Sequence, residues 1–135
     1  MNKKTVLVTG ASRGIGRAIA LAFAKEGYHV FLNCNHSVIQ LEKVRAEIEA
    51  LPNASCDMVI GDVGNPDHVE KMFKTIYKQC KCLDVLVNNA PPQMIGINEC
   101  TWEEFQNALN VGVTAPFYLC KLFSPYFSEG ASIIN

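Results

Sequence analysis

Five short apolar runs, at residues 5–9, 29–32, 58–60, 83–87 and 132–134, alternate along the chain with four segments of helical periodicity. The runs are nearly continuous in Val, Ile and Leu rather than alternating apolar with polar, which suits parallel strands covered on both faces. In the first intervening segment Ile15, Ala18, Ile19, Ala22 and Phe23 recur at helical spacing, and Gly27 follows as a stop. The second places Leu41, Val44, Ile48 and Leu51 on one face, between Ser37 as a start and Pro52 as a stop. The third opens on Asn65 as N-cap with Pro66 at the first helical position, and its stripe is Val69, Met72, Phe73, Ile76 and Tyr77. The fourth begins with a capping box, Thr101 and Glu104, and continues through Phe105, Ala108 and Leu109; Pro116 is expected to bend or interrupt it.

Strand and helix alternating at a spacing of about 25 residues predict right-handed βαβ units and hence an α/β fold, an open doubly wound parallel sheet. The 135 residues amount to one domain, residues 1–135, with no internal boundary, repeat or low-complexity stretch.

Composition narrows the partners. Charged residues are 19% and the formal net charge is −1, so no basic stripe is available for a phosphate backbone, and nucleic acid is not expected. The apolar run near the N-terminus lasts about five residues, short of the roughly 7–15 of a signal peptide and the roughly 20 of a spanning helix, which implies a cytoplasmic protein with no membrane partner. Six cysteines, at 34, 56, 80, 82, 100 and 120, include no Cys-x-x-Cys pair, and the histidines at 29, 36 and 68 do not cluster with Cys80 and Cys82. No metal site is expected; mostly buried free thiols in a reducing compartment are, which makes the Asn53-Ala54-Ser55 sequon irrelevant.

The chemistry-bearing stretch is VLVTGASRGIGRAIALAF, residues 6–23, which joins a buried strand to an amphipathic helix through Gly10, Gly14 and Gly16. Its spacing departs from the Gly-x-Gly-x-x-Gly dinucleotide fingerprint, yet each glycine has an equivalent task. Gly10 permits the turn out of the strand, Gly14 lets backbone approach a diphosphate, and Gly16 lets the helix sit close to the sheet. Free N–H groups at the helix start, with the positive end of the dipole behind them, then meet phosphates.

The ordered set Thr9-Gly10-Ala11-Ser12-Arg13-Gly14-Ile15-Gly16, Asp62-Val63, Asn88-Asn89-Ala90 and Asn110-Val111 resembles the short-chain dehydrogenase/reductase family, and within it most the 3-oxoacyl-acyl-carrier-protein reductase type. The resemblance covers essentially the whole chain and implies a Rossmann-type sheet of strand order 3-2-1-4-5, here incomplete at its C-terminal side. It implies cofactor contacts from Gly10, Ser12, Arg13, Gly14, Ile15, Gly16, Asp62, Val63, Asn89 and Ala90, with the Asp62 carboxylate at the adenine amino group. Asn110 corresponds to the asparagine that anchors a water in the family's proton relay. Each has a structural competitor: Asp62 as a turn cap after the third strand, Asn88 as a partner for backbone groups, Asn110 as a helix break ahead of Pro116. One departure is plain: where the family usually has glycine after Asn-Asn-Ala, this chain has Pro91-Pro92, which fixes φ and removes an N–H beside the expected nicotinamide ribose.

An NAD-preferring site places Asp or Glu at the end of the second strand to hold the ribose 2′-OH. Here residues 32–37 read LNCNHS, with no acid, and the resemblance sets Arg13 to pair with a 2′-phosphate. NADP(H) is therefore expected over NAD(H).

The family's hydride transfer uses a tyrosine whose pKa a lysine lowers, and a serine that orients the substrate oxygen. The one Tyr-x-x-x-Lys here, Tyr77 to Lys81, lies on the third helical stripe, before the Asn-Asn-Ala strand instead of after it, and reads as a core tyrosine with a helix-end lysine. Ser132 precedes the family's serine position. The family's catalytic Ser, Tyr and Lys are thus absent from this chain, whose ending, EGASIIN, reads as the fifth strand of a longer reductase, leaving a strand edge and apolar faces uncovered. The implied parent is an NADPH-dependent reductase of carbonyl or acyl-thioester substrates, working as a homo-oligomer through the helix corresponding to residues 101–123 and the one after it, of which this sequence has the first. A non-catalytic nucleotide-binding or interaction module is the alternative.

Overall fold

The computed structural model describes residues 3–135. Its strands are β1 (Thr5–Val8), β2 (His29–Cys34), β3 (Ser55–Ile60), β4 (Leu83–Val87) and β5 (Phe127–Ile134), all parallel in the order β3-β2-β1-β4-β5. The helices are α1 (Gly14–Lys25), α2 (Val38–Glu49), α3 (Pro66–Cys80), α4 (Trp102–Leu109) and α5 (Ala115–Phe123). This is the Rossmann-type sheet and order expected.

The parity of the strands divides the core into two layers. Val6, Val8, Val30, Leu32, Val85 and Val87 point to one face, where Ala20 and Ala24 of α1 and Leu41, Val44 and Ile48 of α2 cover them. Leu7, Phe31, Val59 and Leu86 point to the other, under Val69, Met72 and Ile76 of α3 and Ala115, Leu119 and Phe123 of α5. Burial on both faces is the reason the strands read as unbroken apolar runs.

Local sequence sets the helix ends. Asn65 Oδ1 accepts from the backbone N–H groups of Asp67 (3.0 Å) and His68 (3.4 Å), and Thr101 and Glu104 form the reciprocal capping box. Ser37 stands at the N-cap of α2 without a side-chain capping bond, and α2 ends at Glu49, ahead of Leu51 and Pro52.

Three expectations need correction. The core face of α1 is Gly16, Ala20 and Ala24, with Ile19 and Phe23 at its flanks, while Ala18 and Ala22 are exposed and Ile15 is 74% exposed. The helix runs so close to the sheet that only the smallest side chains fit between them, which turns the bulky stripe aside. In the fourth helical segment no residue of α4 is buried, because its apolar side faces outward rather than onto the sheet. The interruption itself falls where Asn110 was read as a break ahead of Pro116: a π turn at Asn110–Thr114 runs directly into α5, the Ala115 N–H bonds to the Asn110 carbonyl, and Pro116 has no N–H to restore the α pattern. Finally, the six free cysteines are not mostly buried: Cys34 and Cys56 are, Cys80, Cys100 and Cys120 are half-buried, and Cys82 is exposed.

Strand β5 starts at Phe127, earlier than the apolar run alone indicates, and lies at the sheet edge with Ile133 and Ile134 exposed. Asp84 ties this edge to the centre: Oδ1 accepts from the Ser128 hydroxyl and Oδ2 from the Thr5 N–H, each at 2.7 Å.

Candidate functional site

The C-terminal ends of β1, β2, β3 and β4 open into a cleft of about 840 Å³. Gly10, Ser12, Arg13, Gly14, Ile15, Gly16, Asp62, Val63, Asn89 and Ala90 all line it, joined by Asn33, Cys34, Asn35, His36, Ser37 and Pro91 to Gln93. Such a crevice beyond the strand ends is where open α/β sheets receive ligands.

The glycine loop is held from below by β4. Asn89 Nδ2 donates to the carbonyls of Thr9 and Gly10, both at 3.0 Å, and the Thr9 hydroxyl oxygen accepts from the N–H groups of Asn89 (2.9 Å) and Ala90 (3.0 Å). A Cβ on Gly16 would lie 2.0 Å from the Gly10 carbonyl oxygen and 2.5 Å from Asn89 Nδ2. Only glycine lets α1 begin at this distance from the loop. Gly14 differs: its φ is +56°, a left-handed conformation that glycine adopts readily, and no atom lies within 4 Å of where its Cβ would be. Its backbone therefore faces open space at the start of a twelve-residue helix whose first turn carries no acidic side chain.

Helix starts leave amide groups without intrahelical acceptors, and the helix dipole favours an anion there. The first turn of α1 presents such groups at the cleft, where Gly14 keeps the approach open, so the residues fit a diphosphate. Arg13 is exposed at the same rim. Asp62 is the one carboxylate among the lining residues; its Oδ1 accepts from the Gly64 N–H at 2.8 Å, so it does cap the turn after β3 while bordering the cleft. At the end of β2 the lining groups are Asn35, His36 and Ser37, with no acid.

Two residues lie differently. Asn110, in the π turn, accepts at Oδ1 from Gln106 Nε2 at 3.2 Å and does not line the cleft, which its neighbours Asn107 and Val111 do. Asn88 leaves the sheet toward β5: its N–H bonds to the Ile134 carbonyl (2.8 Å) and its Nδ2 to Asn135 Oδ1 (2.8 Å). Pro92 packs beside Gly112, where a Cβ would sit 3.4 Å from the ring, so the proline pair ties the exit of β4 to the π turn. Tyr77 stacks in an aromatic group with Phe73 and Tyr126, with Lys81 Nζ 4.5 Å from its ring centre, far from the cleft lining.

Sequence reading missed Thr9 as a loop anchor and Asn33 as a lining residue. The signal for Asn33 was present: a polar amide, unfavourable in strands, inside an otherwise apolar run.

The sequence pattern of the family described as short chain dehydrogenase matches residues 4–135. An uncharacterized oxidoreductase of Bacillus subtilis, YhdF, is 34% identical over 98% of this chain and 46% of its own length. The 3-oxoacyl-[acyl-carrier-protein] reductase FabG of Staphylococcus aureus is 47% identical over 64% of the chain and 35% of its own length. Among solved structures, a blue fluorescent protein from a metagenomic library in complex with NADPH superimposes with a TM-score of 0.90 at 30% identity, over 99% of this chain and 55% of that one. The angucycline C-6 ketoreductase LanV with bound NADP gives a TM-score of 0.88 at 33% identity, over 98% and 54%. The chain thus spans about half the length of the curated relatives it matches over its full extent.

Proposed function

Because the chain belongs to the short-chain dehydrogenase family, we propose that it is the cofactor-binding portion of an NADPH-dependent oxidoreductase that reduces a carbonyl, of the 3-oxoacyl thioester type or similar. The observation that carries the reading is the cradle at α1, where Gly14 leaves open space before the helix amides. When bound, the nicotinamide supplies a hydride. The chain's own residues bind and orient it: amides of residues 12–16 hold the diphosphate, Asp62 and Val63 border the adenine, and Asn89 and Ala90 support the ribose side. Arg13, with no acid at the end of β2, favours a 2′-phosphate, and the solved neighbours named above carry NADPH or NADP.

The family's Ser, Tyr and Lys have no counterparts in these 135 residues, so they bind cofactor without turning substrate over. Asn110 is held by Gln106 outside the cleft lining, which favours a second reading of the chain as a nucleotide-binding module. An exposed apolar row along α4, the π turn and α5, formed by Trp102, Phe105, Leu109, Val113 and Phe117, supports self-association. Six free thiols accord with a reducing, cytoplasmic location.

Calorimetric titration tests the proposal. NADPH is expected to bind more tightly than NADH, and NADPH mixed with 3-oxoacyl and ketone substrates is expected to keep its absorbance. Tighter NADH binding overturns the cofactor assignment, and sustained turnover overturns the division of labour.

A further inference from the structure

Asn33 sits in the apolar run of β2 with 1% exposure, and its side chain is bonded at both ends. Nδ2 donates to the carbonyls of Val59 at 2.9 Å and Gly61 at 3.0 Å, fastening the end of β3 and the turn that follows. Oδ1 faces the other way and accepts from the Gly10 N–H at 3.4 Å. Its backbone carbonyl accepts from the Ala11 N–H at 2.8 Å. One residue therefore bonds to the glycine loop on one side and, on the other, to the turn that carries Asp62.

An apolar side chain of similar volume would pack here, and burying an amide is unfavourable unless its groups are bonded. What the amide adds is two directions at once. The loop at residues 10–14 gains an acceptor in the wall of β2, and residues 59–61 gain donors from the same side chain. Asn89 fixes the loop from the exit of β4; Asn33 fixes it from β2, whose end lines the same cleft.

We infer that Asn33 is a positioning residue of the nucleotide site: a single buried amide sets the spacing between the phosphate-facing loop at Gly10 and the Gly61–Asp62 turn. The inference rests on the reading of the cleft as a dinucleotide site, and it deepens that reading by naming what holds the two ends of the site in register.

The test uses the 135-residue chain with Asn33→Leu, which removes both sets of bonds at similar volume, and Asn33→Thr, which suits a strand and keeps one oxygen. Amide hydrogen exchange is read without nucleotide, and NADPH affinity by titration. In Asn33→Leu the Gly10 amide, which loses its side-chain acceptor, is expected to exchange at least about tenfold faster relative to those of Ile76 and Leu86, and NADPH to bind about tenfold more weakly. Asn33→Thr is expected to fall between the two, and it carries the test alone where Asn33→Leu does not fold. A purely structural role would speed exchange at all three amides by one factor; that result, or unchanged exchange and affinity, overturns the inference. If the native chain fails to bind NADPH while the local exchange pattern holds, the dinucleotide reading falls and the assignment of Asn33 to the loop stands.

Discussion

The side-chain amide of Asn89 donates to the Gly10 carbonyl at 3.0 Å, in the space that a Cβ on Gly16 would enter. The exit of β4, the glycine loop and the start of α1 are one packed unit, and its tolerance for added atoms differs from residue to residue.

Gly16→Ala is therefore expected to be the most damaging change in the loop. A methyl group 2.0 Å from the Gly10 oxygen forces the helix away from the sheet, at about 1–3 kcal/mol or more of stability. Gly14→Ala meets no atom and is expected to lose only about 1–2 kcal/mol from its left-handed φ. Urea unfolding of the two variants checks the ranking, and NADPH titration should show both binding more weakly than the native chain.

Asn89→Ala removes the donors to Thr9 and Gly10 and leaves two carbonyls short of a partner. A loss of about 1–3 kcal/mol is expected, again by urea unfolding.

Arg13→Ala tests the cofactor preference. The side chain is exposed at the cleft rim, so its removal should leave the unfolding midpoint unchanged. NADPH affinity is expected to drop about tenfold and NADH affinity to stay level, with the NADPH loss shrinking as salt is raised.

Acid should destabilise the fold in two stages. Burial holds His29 below the ordinary histidine range, outweighing the opposing pull of the Asp57 carboxylate, whose Oδ2 lies 3.1 Å from Nε2; Lys3 pushes the same way as burial. The unfolded chain then takes up a proton at higher pH than the folded one, so stability is full above about pH 6.5 and falls as pH drops below it, by at most about 1.4 kcal/mol per unit. For Asp84, burial raises the carboxyl, but the hydrogen bonds from Ser128 and Thr5, helped by the charge of Lys4, outweigh it and bring the group below its usual value. That stabilisation is present above the ordinary carboxylate range and is lost as pH falls through it. Melting temperatures from pH 8 to pH 3 should show both stages; His29→Gln is expected to flatten the first and Asp84→Asn the second.

Self-association is expected to depend on the apolar row of α4, the π turn and α5. Phe105 is 58% exposed and Phe117 62%, and replacing both by Glu should shift a concentration-dependent oligomer toward monomer in sedimentation velocity. An unchanged mass distribution would remove this row from the assembly.

The sheet was legible because its central strands β2, β1 and β4 are covered on both faces, which writes nearly continuous apolar runs into the sequence. The caps at Asn65 and Thr101 were legible because a cap is a short-range bond between neighbours. The glycine loop could be assigned its geometry for the same reason. The contact face of α1 could not be read, since apolar periodicity assumes that bulk packs inward, and here close approach excludes bulk. Asn33 stood out only as a polar amide among apolar residues; its role could not be read, because its partners at Val59, Gly61 and Gly10 are distant in sequence and adjacent only once the sheet exists. The break ahead of Pro116 was legible at Asn110, a poor helix former inside a helical segment, but its π geometry was not, because it depends on the Ala115 N–H reaching back to the Asn110 carbonyl.

The central place of β1 has a temporal side. Its register couples Val6 to Val85, so the first strand to leave a ribosome cannot complete its ladder until the fourth has been made. At about 5–20 residues per second, nascent Val6 waits on the order of 4–16 seconds with one flank unpaired. During that interval the partly built sheet is a natural client for a chaperone.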